Sequence, residues 1–312
     1  MKTDRNQSQD QVPNSPIDHP FLKTQLAYDH TLEVAPPYTR ALWKMQHRWI
    51  RADVARFKSG SKIRVLDVGC GPAHMYESLR EHIDLYLGID TSLIELRRAA
   101  PSPSRLLVNG VGEHLEYLPD NSYDLVLFVS VLDHVIDWKR TIDRCSQVLR
   151  PGGLMLILME NEEQLVNRLR KLLGRPIDHA DHMAYFTLGD LATQLGSGFV
   201  ALKARTYGYG FGLHKLTTRI PVPQAVFDVL LPIIDLVGHT LMPNSGQVLY
   251  GLYQKKADTI VQSSSDYLVC PSCAAPLQWG EPACKNCHFE TTYRENILDA
   301  MSFLTRGLKS SN

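Results

Sequence analysis

The ten residues from Ile63 to Pro72 constrain this chain more than any other stretch. Residues 63–68, Ile-Arg-Val-Leu-Asp-Val, form an apolar, β-branched run that reads as a buried parallel strand. The run stops at Gly69-Cys70-Gly71-Pro72, a turn in which missing side chains let a ligand come close to the backbone. A helix is expected next, with Pro72 suited to its first turn. Strand, glycine turn and helix N-terminus together make a nucleotide-type pocket. A dinucleotide-binding turn of the form G-x-G-x-x-G wants a third glycine, and His74 stands there instead.

Beyond this stretch strands and helices alternate. Strands are expected at 85–89, ending in Asp90, and at 106–108, 123–129 and 154–159, with helices near 73–81, 92–99 and 137–149. Such alternation calls for a parallel sheet with helices on both faces and ligands at the carboxyl ends of the strands. Residues 21–60 read as helical. Leu42, Met45, Trp49, Val54 and Phe57 form one face, and Lys44, Arg48, Arg51, Arg56 and Lys58 another. That basic face is either a solvated surface or part of a lid whose cations meet an anionic group in the pocket.

Charge and composition narrow the partners. Lys plus Arg and Asp plus Glu both number 33, so no global field draws the chain to nucleic acid or an anionic membrane. Residues 1–20 are polar and read as a disordered tail. Residues 208–245 form an insert whose apolar run at 225–237 is broken by Asp228, Pro232 and Asp235. It reads as too interrupted for a membrane span and as a helical cap on the substrate side, with interfacial membrane contact as the alternative. Four of the six cysteines crowd into 270–287, a distribution that suits a reducing cytoplasm better than a disulfide framework. No internal repeat is evident.

The motifs line up with one family. Val65-Leu66-Asp67-Val68-Gly69-Cys70-Gly71-Pro72 resembles the first motif of the class I, Rossmann-like S-adenosylmethionine (SAM) methyltransferases. Residues 119–126, 131–135 and 148–153 resemble later motifs of that family in the expected order. The resemblance implies a doubly wound, seven-stranded, mostly parallel sheet over residues 21–256, its sixth strand opening at 198–200 and its seventh at 246–252. It also implies a SAM site at Asp67, Gly69, Cys70, Gly71, Asp90, Thr91, Gly112, Glu113 and Val129. Asp90 ends the second strand, where a carboxylate can accept both ribose hydroxyls. At 110–117 the family's adenine-binding Asp falls on Val111, a departure that leaves Gly112 and Glu113 for that contact. A general base is needed only for a protonated, weakly acidic nucleophile, for which His134 and His182 are the candidates.

After a linker at 257–266, residues 267–312 form a second module. Cys270-Pro-Ser-Cys273 and Cys284-Lys-Asn-Cys287 are two C-x-x-C knuckles that can close a four-thiolate, structural zinc site. The module resembles the small zinc-ribbon activator subunit of class I methyltransferases, with His288 where that family has glycine. Fusion would supply such a partner in cis. Three functions remain open on sequence. One is methyl transfer to a small, lipid-like or glycan-precursor acceptor. Another is RNA methylation with the ribbon and basic helix gripping phosphates. The third is a non-catalytic SAM-binding scaffold.

Overall fold

A computed structural model describes residues 35–58, 60–177, 183–210, 222–257 and 266–307. The tail at 1–20, most of the linker, and His182 with its neighbours at 178–181 lie outside the described residues. In chain order the elements are α1 (Pro37–Phe57), β1 (Ile63–Val68), α2 (His74–Leu79), β2 (Ile83–Asp90), α3 (Leu93–Arg97), β3 (Arg105–Asn109), β4 (Tyr123–Val129), α4 (Trp138–Val148) and β5 (Leu149–Glu160). There follow α5 (Leu165–Leu172), α6 (Leu188–Leu195), β6 (Phe199–Tyr207), α7 (Gln224–Leu241), β7 (Val248–Lys255), β8 (Tyr293–Arg294), β9 (Ile297–Asp299) and α8 (Met301–Gly307).

The fold is a mixed α/β fold around one large sheet. Its order is β6-β7-β5-β4-β1-β2-β3-β9-β8, parallel from β5 through β9, with β7 antiparallel to both its neighbours. The strand order reverses beside β1, so the crevice for a ligand opens at the ends of β1 and β4. β1, β4 and β5 are nearly continuous apolar runs because helices cover both faces. Local signals set the helix starts. Ser92 accepts from the Glu95 amide, Asp137 from the Arg140 amide, and Thr187 with Asp190 closes a capping box on α6.

Four expectations need correction. The sheet has nine strands, because β9 pairs in parallel with β3 (Val108 with Leu298, Asn109 with Asp299) and brings β8 with it. The cysteine module is therefore docked rather than separate. Leu268, Cys270, Leu277 and Cys284 share a core with Tyr117 and Tyr123, the Tyr117 carbonyl accepts from the Val269 amide, and the Tyr123 hydroxyl donates to the Tyr267 carbonyl. Pro72 lies before α2 rather than in it, since Ala73 at φ +60° breaks the chain just ahead of the helix. The apolar insert is also less interrupted than it reads. Pro232 sits inside one unbroken α7, long and apolar enough by length and composition to cross a membrane.

Candidate cofactor site

The pocket is built from the backbone outward. Gly69 and Gly71 have φ of +72° and +50°, a conformation that glycine adopts without strain. Their turn is tied to the next strand, as the Gly69 and Cys70 amides both donate to the Ile89 carbonyl (2.8 and 3.0 Å). A Cβ on Gly69 would lie 2.1 Å from the Val131 side chain, whereas one on Gly71 would meet nothing within 4 Å and would project into open space. The turn thus presses Gly69 against the loop after β4 and leaves Gly71 bare toward the cavity.

Asp90 fastens this turn. Its Oδ2 accepts from the Gly71 amide (2.8 Å) and its Oδ1 from the Ser92 amide (2.8 Å), which holds the carboxylate at the rim between two backbone loops. Each oxygen keeps a lone pair, so hydroxyl donors can still be accepted. Asn109 braces the same loop by donating to the Asp90 and Thr91 carbonyls (3.1 and 2.8 Å). Burial lifts the Asp90 carboxyl to about 6, against the pull of those two amides. Asp67 is deeper, 1% exposed, and accepts from the Tyr86 hydroxyl at 2.5 Å. Burial, opposed by that hydroxyl and reinforced by the Asp90 charge, lifts it to about 7.

The cavity these residues bound is about 590 Å³, within the range of sites that hold a cofactor-sized ligand. All nine residues expected at the cofactor site line it: Asp67, Gly69, Cys70, Gly71, Asp90, Thr91, Gly112, Glu113 and Val129. Val111 lines it too and is buried, in the place where a carboxylate was expected. Glu113 also has a structural task. Its Oε1 accepts from the Ile136 and Asp137 amides (2.9 and 3.2 Å) and so fixes the loop leading into α4. His134 sits on the wall in a short 3₁₀ turn, its Nε2 4.0 Å from Asp133 Oδ2.

The fit to SAM rests on these features: a bare glycine turn, a carboxylate at the rim with acceptor capacity left, and an apolar slot beyond it. A bulky cationic ligand with two vicinal hydroxyls suits that donor and acceptor pattern.

The sequence offered the helix at 21–60 as a lid over the pocket without saying which of its residues would line it. Trp43, Lys44, Gln46 and His47 of α1 do so, together with His74 and Ser78 of α2. His47 Nδ1 lies 2.8 Å from Ser78 Oγ, and burial, then the neighbouring His74, pushes the imidazole down to about 4. The spacing Trp43–Gln46–His47 marks a helix face, but no motif says which face meets a pocket. Lys44, on the basic face that reads either as a solvated surface or as part of a lid, lines the cavity and is paired with Asp228 of α7 at 2.6 Å.

The cysteine module holds a second constellation. The Sγ atoms of Cys270, Cys273, Cys284 and Cys287 all lie within 4.8 Å of one another, with Cys270–Cys287 at 3.5 Å and Cys273–Cys284 at 3.7 Å. A tetrahedral ion with sulfur ligands at about 2.3 Å requires sulfurs roughly 3.8 Å apart, so the four thiols suit such an ion. The two knuckles repeat one turn. Cys270 and Cys284 donate to the Ala275 and Phe289 carbonyls, and Ala274 and His288 donate back to the Cys270 and Cys284 carbonyls. Ala274 and His288 both sit near φ +60°, a conformation that favours glycine, the residue that the resembling activator family has at the position of His288.

Comparison with known proteins gives the family. Residues 42–199 match a family described as a methyltransferase domain. A ubiquinone biosynthesis O-methyltransferase of Chelativorans sp. is 31% identical over 125 residues, 39% of this chain and 47% of that protein. Its counterpart in Mesorhizobium japonicum is 29% identical over 185 residues, 58% of this chain and 64% of that protein. The chain thus spans between about half and just under two thirds of these two relatives. Among solved structures, a complex of the Haloferax volcanii Trm112 methyltransferase activator with a methyltransferase matches at 17% identity and TM-score 0.48, covering 72% of this chain and 96% of that one. A SAM-dependent methyltransferase of Mesorhizobium loti matches at 21% identity and TM-score 0.44, covering 62% of this chain and 92% of that one. Residues 42–199, half the chain, match that one family, so this protein belongs to the methyltransferase-domain family, and the glycine-turn cradle lies inside the matched span.

Proposed function

We propose that the protein transfers a methyl group from SAM to a hydroxyl of a small, lipid-like acceptor. The observation that carries this is the closure of the cofactor cavity by α1. The cavity, about 590 Å³ with Trp43, Gln46 and His47 in its lining, has the size that suits a cofactor with a compact acceptor. The curated relatives, named for O-methylation in ubiquinone biosynthesis, point to the same acceptor chemistry.

When bound, SAM supplies a sulfonium-activated methyl group. The chain's own part is alignment and a dry site. Asp90 would accept the ribose hydroxyls, the 69–71 turn would take the methionine end, and Val111, Gly112 and Val129 would flank the adenine. The acceptor's hydroxyl would approach from the α1 side, where His47 is kept neutral by burial, with His134 also in the cavity lining. His134 is the imidazole that would take the hydroxyl proton as the new bond forms, since His47, pushed down to about 4, is too weak a base for that task. His182, the other base candidate from the sequence, remains a proposal outside the described residues. The four thiolates would hold a structural zinc ion that folds the ribbon onto β3 and leaves no coordination position open for catalysis.

The test is direct. Methyl-labelled SAM is incubated with the protein and with hydroxylated, apolar-tailed compounds, and label is followed into the organic phase. Label entering RNA, or calorimetry that detects no SAM binding at all, would sink this reading.

A further inference from the structure

Eleven of the fourteen large apolar side chains exposed among the described residues lie on α5, its C-cap or α7. On α7 they run the whole helix, with Val229 65%, Leu236 70% and Leu241 72% exposed. On the α5 side Leu172 is 81% and Leu173 67% exposed. Scattered exposed leucines need no explanation, whereas a stripe of this length does.

The two helices belong to one rim. The Ser245 carbonyl just past α7 accepts from the Leu165 amide at the start of α5 (3.0 Å), and the Asn161 side-chain amide donates to the Asn244 and Gly246 carbonyls (3.0 and 2.7 Å). That rim is the carboxyl end of β5, the same end at which the cofactor cavity opens beside β1 and β4. α7 is also fastened to the cavity wall, since Lys44 and Arg40 of α1 reach Asp228 (2.6 Å) and Gln224 (3.2 Å).

Charge selects the occupant. From Leu165 to Arg175 the chain carries Arg168, Arg170, Lys171 and Arg175 and no acid. Arg168 and Lys171 lean back on Glu163 and Glu162, so the excess positive charge of the rim comes from Arg170 and Arg175. Exposed leucines flanked by cations on a short helix are the pattern of a segment lying in a lipid interface. A second copy meeting this face across a two-fold axis would bring cations toward cations. α7 does not leave the domain to cross a bilayer here. Its other face, Phe227, Leu231, Asp235 and Gly238, is buried, and Asp235 accepts from the Gly208 and Tyr209 amides (2.9 and 3.1 Å).

We propose that α5 and α7 form a docking face for an anionic lipid bilayer, which sets the mouth of the cofactor cavity against the membrane surface. Leucines enter the acyl boundary, Arg170 and Arg175 meet lipid phosphates, and an apolar acceptor passes to the cavity without crossing water. The docking face stands on its own geometry, whatever the acceptor is.

Flotation of the full chain with vesicles tests it without turnover. Vesicles of phosphatidylcholine containing about one third phosphatidylglycerol should carry the protein up the gradient, and pure phosphatidylcholine should carry far less. Removing Arg170 and Arg175 as alanines should weaken partitioning roughly fivefold for each cation removed. The exposed pair Leu172→Asp and Leu236→Asp should abolish flotation while melting temperature and SAM affinity stay unchanged. Flotation indifferent to anionic lipid, or unaltered in the aspartate variant, overturns the proposal. So does a stable dimer that the aspartate variant dissociates while vesicles stay bare. Flotation that appears only after residues 1–34 are removed also overturns it, since the chain would then cover this face itself.

Discussion

The cofactor cradle and the cysteine ribbon adjoin on one sheet yet are built on opposite plans. In the cradle the backbone does the work, and side chains hold it in shape. Asp90 ties the Gly71 and Ser92 amides, and Glu113 ties those of Ile136 and Asp137. In the ribbon four side chains gather at one point, and the backbone merely repeats a tight turn to deliver them. The difference teaches where each is vulnerable. A backbone cradle tolerates an unusual residue such as Val111 so long as its glycines and its carboxylate clamp persist. A four-thiolate centre fails when one ligand is lost, because two short knuckles cannot bury a core of their own.

Loss of the zinc ion proposed for the four thiols should give the largest effect. Chelation, or Cys273→Ser, should lower the melting temperature by at least about 5 °C and speed hydrogen exchange along β3, whose edge β9 covers. Unchanged melting would show a ribbon that folds without metal, and the contrast would fail. Next, Gly69→Ala strains a positive φ and drives a Cβ into Val131, which should destabilise the domain by about 2–4 kcal/mol in chemical denaturation. Asp90→Asn removes the charge and turns one of the two acceptors facing the Gly71 and Ser92 amides into a donor, and SAM affinity measured by calorimetry should fall roughly ten- to a hundredfold. A fall below twofold would mean that the carboxylate does not hold the cofactor.

The smallest effect concerns pH. Asp90 and Asp67 are lifted to about 6 and about 7, so lowering pH protonates them in the free protein. A cationic, hydroxyl-bearing cofactor favours the ionised carboxylates, so its affinity should rise with pH and level off above about 7. Stability runs the other way. A carboxyl raised in the folded state holds its proton better than the unfolded chain does, so its stabilisation is present at low pH and is lost as pH rises through the folded value. His47, pushed down to about 4, opposes this, since folding disfavours its proton and stability falls as pH drops from about 6.5 toward 4. In His47→Phe the acid side of the stability profile should lose that slope, while the pH dependence of cofactor affinity persists.

The cradle was legible because its parts are local. A strand, a glycine turn and an acid at the end of the next strand recur at fixed spacing, and their geometry follows from φ and hydrogen bonding within a few residues. The thiol cluster was legible for the same reason. Glu113 was half-read, since the sequence placed it at the pocket but not on the Ile136 and Asp137 amides.

What the chain's order of residues determined alone is the alternating α/β frame, the turn at Gly69–Gly71 with Asp90 beside it, and the four gathered cysteines. Tertiary structure decided the rest. It chose the face of α1 that closes the cavity, it paired Lys44 with Asp228, and it laid β9 along β3 to make the ribbon part of the sheet. It also left one side of α7 bare. Each of these depends on residues far apart in the chain meeting, through packing and edge pairing that three residues of β9 or one apolar helix cannot announce by their own pattern.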